Sequence, residues 1–562
     1  MVVISIMDSI IGRTEPRFPR IARLWDVTST ENFSQVPDAP RSDDVRLLEQ
    51  LAGDLRRAEY AHEAITEFLG DSAHEALMRN QLIPALRRIA AQPEPTALGT
   101  ILGMFMLGTD VGDDEVAAAF PATGIEGLRA LGLIEDADGS RNRRARIDLR
   151  PHASDADAEI WVASDLGAHQ RPGVLRHDHV LGIGQASLTL AQTTVRPQVD
   201  SALDLGTGCG IQAFHLLSHA RRVVATDISV RALGFTRFNL LLNHQALDID
   251  PGDLSARVDL RLGSLLEPVA GERFDLVVSN PPFVITPRTA GQDDSERFTY
   301  RDGGMPGDSL VATLVRTLPG VLKPGGCAQM LANWEITAAE NPEEEPDWSA
   351  GPRSWLTGDT EAWFIQREVV SPTGYAETWL RDASQGRDPE AFAAQYGAYL
   401  DDFASRNVAA IGFGMVWLRR PAAEHPGIGR LFESISYPIE QPIGPYLARD
   451  IAVADELDSR EAGQLHLVVA EDVTEERHQR PGAEHPGVIL LRQGAGLRRT
   501  EILDTALAGF VSACDGDLSV SSLVGALESL VGGDDPDFSN RLHEGVLRLI
   551  KRGFLLEMRN NR

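Results

Sequence analysis

The tetrapeptide Asn280-Pro281-Pro282-Phe283 is the part of the chain best suited to chemistry. It follows Phe274 to Ser279, a short apolar run with the β-branched content of a buried strand. The two prolines end that strand, because neither can donate to a ladder and each fixes φ. We therefore expect the Asn280 side chain at the carboxyl end of a strand, the edge at which open α/β sheets bind their ligands.

These four residues predict alkylation of a weakly nucleophilic nitrogen on a planar group, either an amide or the exocyclic amine of a base. The Asn280 side-chain oxygen and a backbone carbonyl of Pro281 or Pro282 would accept the two N–H bonds and so orient the nitrogen. Phe283 would offer a flat apolar face for stacking. Asn-Pro is also a common turn opener, so a simple strand-terminating turn is the alternative.

A glycine-rich turn lies upstream. Ser201 to Leu205 is predicted to be a short strand, and it runs into Gly206, Gly208 and Gly210 in a G-x-G-x-G pattern, with Asp204 just before it. Such glycines let the backbone approach a ligand closely and expose amides at the start of a helix. A dinucleotide-binding fingerprint would need a further glycine at position 211, where the chain has isoleucine.

The next predicted strand, Arg222 to Asp227, ends in a carboxylate. Asp227 is placed to accept both hydroxyls of a ribose, and a helix from Ser229 to Asn243 is expected to follow. An acid-preceded glycine loop, an acid closing the next strand and Asn-Pro-Pro-Phe closing the fourth form an ordered set. This order favours a nucleoside-containing cofactor beside Asn280 over an isolated turn.

This set of motifs resembles the class I S-adenosylmethionine-dependent methyltransferases, in particular the branch with an Asn/Asp-Pro-Pro-aromatic motif. That branch includes N6-adenine DNA, rRNA guanine-N2 and release-factor N5-glutamine methyltransferases. The resemblance covers about residues 160–421 and implies an α/β fold with a Rossmann-like, seven-stranded sheet. Its last three strands would be 328–334, 361–369 and 409–418.

The resemblance also implies roles for individual residues. Four residues would hold the methionine part of S-adenosyl-L-methionine and a fifth its ribose: Asp204, Gly206, Gly208, Gly210 and Asp227. Asn280, Pro281, Pro282 and Phe283 would bind the target nitrogen. Relatives often have an acid after the third strand to contact the adenine, whereas this chain has Ser264, which could still hydrogen-bond it. Gln185 lies in Val180 to Leu190, where relatives cover the methionine end, and is a further candidate.

Composition narrows the partners and the compartment. The chain has 53 Lys and Arg against 82 Asp and Glu, a formal net charge of −29, which disfavours sequence-independent binding of nucleic acids. Three widely spaced cysteines predict a reducing cytoplasm rather than a disulfide framework. No apolar run is long enough to span a bilayer, so no membrane partner is expected. His177, Asp178 and His179 lack further ligands at a workable spacing, so we expect no metal.

The chain divides into four predicted parts. Residues 1–43 read as a poorly ordered leader, 44–159 as a helical, winged-helix-like domain, 160–421 as the methyltransferase domain and 422–562 as a C-terminal module with a hairpin and a second winged-helix-like group. The first winged helix would pair 133–137 with 145–149, and helices are expected at 500–514, 520–531 and 540–552. A glycine-rich stretch, 291–308, is either a lid over the site or a solvated connection.

The turn of the first winged helix carries the densest basic cluster, made up of Arg141, Arg143, Arg144 and Arg146. It would guide a nucleic acid or an acidic protein surface, or it would merely offset nearby carboxylates. The sequence thus predicts a methyltransferase acting on a planar nitrogen, with a glutamine side chain of a translation factor as the favoured acceptor. An RNA or DNA base, a small-molecule amine and a non-catalytic cofactor-binding module are the alternatives.

Overall fold

The computed structural model describes residues 30–137, 141–153, 159–171, 175–287, 303–382, 389–422, 427–457, 462–532 and 535–558. Part of the predicted leader, most of the predicted lid and the tip of the first winged-helix turn lie outside these ranges. Within them, no helix combines the length and the apolar composition needed to cross a membrane.

A mixed sheet of eight strands forms the centre of the fold. In spatial order the strands are Arg430–Ser434, Glu361–Val370, Val408–Arg419, Leu322–Thr337, Phe274–Ser279, Val199–Leu205, Ala220–Asp227 and Val258–Leu262. The last five are mutually parallel, and Val408–Arg419 runs antiparallel to both of its neighbours. The predicted α/β, Rossmann-like sheet is confirmed.

The order of the parallel strands reverses at Val199–Leu205. From this strand the chain moves outward on one side to Ala220–Asp227, and it later returns to the other side with Phe274–Ser279. Three helices cover the sheet here: Ile211–Leu217, Val230–Leu242 and Ser309–Thr317. A reversal of this kind opens a crevice at the carboxyl ends of the strands, which is where Asp227 and Asn280 lie.

The sheet has one strand more than the seven expected. Arg430–Ser434 pairs in parallel with Glu361–Val370 at the edge, so the sheet extends past residue 421, where the sequence placed the end of this domain. Two glycines and a proline interrupt the apolar pattern just before this strand, at Pro426, Gly427 and Gly429. For this reason the periodicity of the sequence does not predict the strand.

The N-terminal part is helical, as predicted, and ends in a small sheet. Its helices are Val45–Arg57, His62–Leu69, Asp71–Met78, Ile83–Ala90, Ala97–Phe105, Asp113–Ala119 and Gly124–Ala130. The sheet joins Val111–Gly112, Asn142–Ala145 and Ile134–Asp136. The predicted hairpin between 133–137 and 145–149 forms in part: Ile134–Asp136 pairs with Arg143 to Ala145, whereas Ile147–Ala153 pairs instead with Glu159–Asp165.

Two buried asparagines fasten that hairpin to the central domain. Asn243 accepts the Trp161 N–H at 2.8 Å and donates to the Trp161 carbonyl at 2.7 Å. Asn239 makes the same pair of bonds with Ala163, at 2.8 and 2.9 Å. Asn239 of the helix Val230–Leu242 and its C-cap residue Asn243 thus satisfy backbone groups of the strand Glu159–Asp165. These buried polar groups specify how the hairpin docks on the central domain.

The assignment of residues 1–43 to a poorly ordered leader is wrong for its described part. Residues 30–43, which we call the strap, begin with a short 3-10 helix, Thr30–Phe33, and bury Phe33, Val36 and Ala39. The strap crosses the helix Val230–Leu242 at Gly234, where an added Cβ would lie 3.0 Å from Ala39 and 3.2 Å from Val36. The ordered packing of the strap was not predicted, because its composition is polar and only a few apolar side chains anchor it.

We expect Phe33→Ala to destabilise the protein by about 3 kcal/mol, because the ring is 1% exposed and its loss leaves a cavity under the strap. Chemical denaturation with urea measures the change. Gln35→Ala is the matched control, since Gln35 is exposed and, among the described residues, its side chain is bonded only to Asp43 on the same strap. Equal stability of the two variants would contradict the packing described here.

A helical hairpin, Pro372–Asp382 and Pro389–Ser405, is inserted between the strands Glu361–Val370 and Val408–Arg419. Both connections leave the carboxyl edge of the sheet, so the hairpin lies on the same side as Asn280. Its side chains Tyr375, Tyr399 and Phe403 form a small aromatic cluster with residues of the central domain. A shorter helix, Ala350–Trp355, packs on the sheet beside the helix Ser309–Thr317.

The C-terminal module follows the helix Gly444–Leu457. It contains two three-stranded sheets, formed by His466–Val469, Asp515–Ser519 and Leu555–Glu557, and by Val473–His478, Val488–Gln493 and Thr500–Leu503. Its helices are Thr505–Ser512, Val520–Leu527 and Phe538–Lys551. The helix predicted from residue 500 begins instead at Thr505, because Asp504 caps it by accepting the Leu507 N–H and the preceding residues pair with Val488–Gln493.

A buried arginine joins this module to the edge of the central sheet. Arg499 donates to both carboxylate oxygens of Glu433 at 3.0 Å and to Asp450 at 2.7 Å. Its guanidinium also lies over the Trp363 ring, 5.3 Å from the centroid. Glu433 belongs to the eighth strand, so the added strand is also the attachment point of the C-terminal module.

Candidate active site

A cavity of about 540 Å³ opens at the carboxyl edge where the strand order reverses. Its walls include residues from several motifs found in the sequence: Gly206, Gly208, Asp227, Ser264, Asn280 and Pro281. The segment Val180–Gly182 and the start of the helix Gln185–Thr193 form the opposite wall. The structure therefore brings together motifs that are far apart in the chain.

The glycine turn leaves open space in front of its backbone. Gly206 and Gly208 have φ of +77° and +60°, and a Cβ added at either would meet no atom of the described chain within 4 Å. The helix behind holds the turn in place, because Thr236 Oγ1 donates to the Gly208 carbonyl at 2.8 Å and Asn239 donates to the Cys209 carbonyl at 2.9 Å. A rigid, uncovered backbone of this kind allows a ligand to approach closely.

Asp204 lies behind this turn and does not line the cavity. Its side chain is fully buried, and one oxygen accepts from Thr207 Oγ1 at 2.6 Å and from the Ala213 N–H at 3.0 Å. The other oxygen has no hydrogen-bond partner among the described residues. Burial raises the pKa of this carboxyl to about 7. The geometry makes Asp204 a support for the turn rather than a wall of the site.

This carboxyl predicts a pH dependence of stability. Its pKa is raised from 3.8 to about 7 in the folded state, so its contribution is fully present below about pH 4 and is lost as the pH rises through 7. In Asp204→Asn the amide oxygen still accepts from Thr207 and Ala213 but does not titrate. Between pH 5 and pH 8 we expect wild type to lose about 2–3 kcal/mol relative to this variant, as measured by urea unfolding. A difference that stays constant with pH would contradict the assignment.

Asp227 closes the neighbouring strand and faces the cavity. Its two oxygens accept the N–H groups of Gly208 at 2.9 Å and Ser229 at 2.8 Å. Desolvation raises the pKa of the Asp227 carboxyl, and these two backbone donors counteract it. Each oxygen keeps a further lone pair, so the carboxylate is held rigidly while it can still accept from a ligand. Ser264 lies beside it in the same wall.

Asn280 carries an unsatisfied buried acceptor in the cavity wall. Its Oδ1 is buried and has no hydrogen-bond partner within the part of the chain that the structure describes. The strand before it is well fixed, since Ser279 Oγ donates to the Leu205 carbonyl at 2.8 Å and ties the two strand ends together. A buried acceptor without a donor is costly, and such groups in native structures need an explanation. The N–H group of a ligand would satisfy this oxygen.

The rest of the tetrapeptide is arranged differently from the prediction. The Phe283 N–H donates to the Pro281 carbonyl at 2.8 Å, which makes a tight turn. Pro281 and Pro282 line the cavity. The Phe283 ring instead packs between two hydrophobic clusters and is not among the described residues of the cavity wall. Its stacking role therefore stays a prediction.

Other sequence candidates lie outside the cavity wall. Gly210 has a φ of +98° and starts the helix Ile211–Leu217, behind the turn. Gln185 is exposed at the start of its helix, and its neighbours Ala186 and Ser187 line the cavity instead. Three further wall residues come from the far end of the predicted lid, Gly303, Gly304 and Met305. Nothing in their types separates them from an ordinary loop, so sequence reasoning singled out only the stretch.

Three arginines of the cluster at the small N-terminal sheet form ion pairs with carboxylates. Arg143 contacts Asp113 at 2.9 Å, and Arg144 donates two hydrogen bonds to Asp110, at 3.1 and 3.0 Å. Arg146 contacts Asp38 of the strap at 3.4 Å. These contacts support the prediction that the charges offset nearby carboxylates.

Of the group His177, Asp178 and His179, the last two belong to an ion-pair network. Asp178 is bound by Arg176 at 2.8 Å and lies 3.4 Å from Arg231. Arg231 is buried, donates to Asp165 at 2.7 and 3.0 Å and reaches the strap through the Asp38 carbonyl at 2.8 Å. Asp165 also accepts the Val180 N–H at 2.8 Å, so this network fixes the segment that forms one wall of the cavity.

Comparison with known families identifies two parts of the chain. Residues 165–295 match the model of the methyltransferase small domain, and residues 57–146 match a domain of unknown function, DUF7059. The first match spans the glycine turn, Asp227 and the Asn-Pro-Pro-Phe motif. It confirms the resemblance to S-adenosylmethionine-dependent methyltransferases.

Individual proteins to which this chain is similar are also named as methyltransferases. A release factor glutamine methyltransferase of Geobacter sulfurreducens is 35% identical over 137 residues, 23% of this chain and 44% of the relative. A putative protein N5-glutamine methyltransferase of Methanocaldococcus jannaschii is 27% identical, over 28% of this chain and 73% of the relative. The ribosomal RNA small subunit methyltransferase C of Erwinia tasmaniensis is 25% identical, over 51% of this chain and 78% of the relative. The chain thus spans less than half of the Geobacter protein.

The cavity fits the methyl donor of this family, S-adenosylmethionine. Uncovered backbone at Gly206 and Gly208 can approach the amino-acid part, the fixed Asp227 carboxylate can accept from ribose hydroxyls, and Ser264 can bond to a base. The volume of about 540 Å³ lies within the usual range for small-molecule and cofactor sites. The Asn280 oxygen, which has no partner among the described residues, lies in the wall of the same cavity.

Proposed function

We propose that this chain, whose residues 165–295 belong to the methyltransferase small domain family, is an S-adenosylmethionine-dependent N-methyltransferase. The observation that carries the proposal is the buried Asn280 oxygen, which has no partner among the described residues and lies in the wall shared with Gly206, Gly208 and Asp227. The bound donor supplies an electrophilic methyl group on a sulfonium. The chain itself must bind the acceptor and orient its nitrogen toward this methyl group.

The acceptor nitrogen is amide-like, so its lone pair is delocalised and must be directed. Asn280 Oδ1 accepts one N–H, and a backbone carbonyl of Pro281 or Pro282 accepts the other, which turns the lone pair toward the cavity. The Pro281 carbonyl already accepts from Phe283 and keeps one lone pair, so both carbonyls are available. Positioning and preorganised dipoles do the work, and the nitrogen loses its proton after the new N–C bond has formed.

Among acceptors, we favour a glutamine side chain in a protein of the translation machinery. The relatives from Geobacter sulfurreducens and Methanocaldococcus jannaschii are named as glutamine methyltransferases. The net charge of −29 repels polyanions, and the densest arginine cluster is largely paired with Asp113, Asp110 and Asp38. An acidic protein is better suited to a basic protein partner than to a phosphate backbone.

An exocyclic amine of RNA is the second candidate. It is favoured by the length of the match to the rRNA methyltransferase of Erwinia tasmaniensis, which reaches over half of this chain. Both acceptors offer the same planar N–H pair to Asn280, so the site alone suits either. We place the reaction in the reducing cytoplasm, because Cys209, Cys327 and Cys514 are buried free thiols.

The experiment uses purified full-length chain, tritiated S-adenosylmethionine and a lysate of cells that lack this protein. Parallel samples are treated with protease or with nuclease after labelling. We expect macromolecular label that resists nuclease and is removed by protease. Label removed by nuclease alone would move the acceptor to a nucleic-acid base, and the absence of any enzyme-dependent label would overturn the proposal.

A further inference from the structure

The segment that follows the Asn-Pro-Pro-Phe motif is held by a side chain from the inserted helical hairpin. The Ile285 N–H donates to the Tyr375 hydroxyl at 2.8 Å, and both residues are buried, at 2% and 1% exposure. They are 90 positions apart in sequence. No residue of the cavity wall makes this contact, so it belongs to the support of the site rather than to the site itself.

The same hydroxyl is also tied to the central sheet. Asn333, a fully buried residue of the strand Leu322–Thr337, donates from Nδ2 to the Tyr375 hydroxyl at 2.9 Å. That strand is the parallel neighbour of Phe274–Ser279, which carries Asn280 at its end. One oxygen thus accepts from the sheet and from the acceptor-binding segment, and it fixes the distance between them.

The Tyr375 ring itself has little freedom to move. It stacks on Phe413 with the centroids 5.6 Å apart and meets Phe403 edge-on at 5.6 Å. Val284 and Ile285 pack into the same cluster. A ring clamped on several sides holds its hydroxyl at one point, which is the condition for orienting a backbone segment through a single hydrogen bond.

We propose that Tyr375 is a positioning residue for methyl transfer, an inference that rests on the function proposed above. Its hydroxyl holds the Ile285 N–H and thereby sets the course of residues 281–285, whose first two carbonyls would receive the acceptor nitrogen. The helical hairpin then acts as the outer support of the acceptor site. The cofactor side of the cavity is supported separately, by Thr236, Asn239 and the strands that end at Leu205 and Asp227.

Tyr375→Phe tests this role because it removes the hydroxyl and keeps the ring. The Ile285 and Asn333 donors lose their acceptor, and we expect the maximal rate of labelling to fall about 10- to 100-fold, the size of effect that a small misplacement of reacting groups produces. The Kd for S-adenosylhomocysteine, measured by calorimetry, should stay within about twofold of wild type. Hydrogen exchange at the Ile285 amide should speed up about tenfold.

Tyr396→Phe is the matched control. It removes a hydroxyl from the same hairpin, where the partner is the Glu377 carboxylate at 3.4 Å on the neighbouring helix. We expect its labelling rate, its Kd and its exchange at Ile285 to match those of wild type. The rates are compared over a dilution series of the same lysate at saturating cofactor, so that maximal rate and apparent KM are separated.

Each outcome has a defined meaning. Wild-type activity in Tyr375→Phe, or unchanged exchange at Ile285, would overturn the positioning role while the proposed function stands. A parallel loss of cofactor affinity and of thermal stability would also overturn it, because it would show a general structural defect. Absence of labelling by wild type itself would instead overturn the proposed function. A lower maximal rate with intact cofactor binding and faster exchange supports the role.

Discussion

Asn280→Ala is expected to lower the rate of methyl transfer by at least about 10²- to 10³-fold, the loss typical of removing one preorganised hydrogen-bonding group at a reacting centre. The buried Oδ1 of Asn280 has no partner among the described residues, so its truncation breaks no described hydrogen bond in the free protein. The fold and the affinity for S-adenosylhomocysteine should therefore stay close to those of wild type. Initial rates of tritium transfer and calorimetry give the two quantities.

Asn280→Asp is the matched comparison for this prediction. It keeps an oxygen that can accept an N–H at the same place, and the motif family to which the chain is similar uses either residue. We expect its rate to lie above that of Asn280→Ala. Normal turnover in the alanine variant would contradict the role of Asn280, and so would a loss of activity that is fully explained by unfolding.

Asp227→Ala should raise the Kd for S-adenosylhomocysteine by about 10²- to 10³-fold, because two hydrogen bonds from ribose hydroxyls to a charged acceptor are lost. The same change leaves the Gly208 and Ser229 N–H groups without their acceptor, so the glycine turn also loses part of its support. We expect the free energy of unfolding to fall by about 1–3 kcal/mol as well. Calorimetry and urea unfolding measure the two effects.

Asp200→Ala provides the control for this second variant. Asp200 lies on the strand next to Asp227, but at its opposite end, and its side chain is 75% exposed and paired only weakly with Arg221 at 3.3 Å. Its removal should leave cofactor affinity unchanged. An unaltered Kd in Asp227→Ala would exclude the ribose role, whatever happens to stability.

The parts of the site that sequence predicts well are those fixed by local signals. An apolar run stopped by two prolines places Asn280 at a strand end, and an acid at the end of the next strand places Asp227 on the same edge. Both expectations agree with the observed positions in the cavity wall. Strand ends in a parallel sheet converge by geometry, so no tertiary information is needed to bring these residues together.

Other features depend on contacts that no local pattern records. The strap reads as polar chain, and its packing becomes visible only when Gly234 leaves room for Val36 and Ala39. From sequence, Tyr375 has the pattern of an ordinary buried helix residue. Only the structure shows that its hydroxyl accepts the Ile285 N–H. The eighth strand is short and enclosed by turn residues, and its pairing partner, rather than its own sequence, defines it.

The arginine cluster shows that a dense run of positive charges in the sequence need not form a positive surface on the folded protein. Four arginines within six positions suggest a surface for polyanions, yet Arg143, Arg144 and Arg146 meet carboxylates that are distant in the chain. Such pairing lowers the local positive potential and with it the attraction for a phosphate backbone. This pairing weakens the argument that the arginine cluster guides a nucleic acid.

The proposed transfer of methyl groups to a planar nitrogen is tested by the chemical identity of the labelled product. Labelled macromolecules from the lysate are hydrolysed with strong acid and analysed by mass spectrometry. We expect tritiated methylamine released from an N5-methylglutamine side chain, or an N-methylated base for the second acceptor class. Label found on oxygen, sulfur or carbon would contradict it.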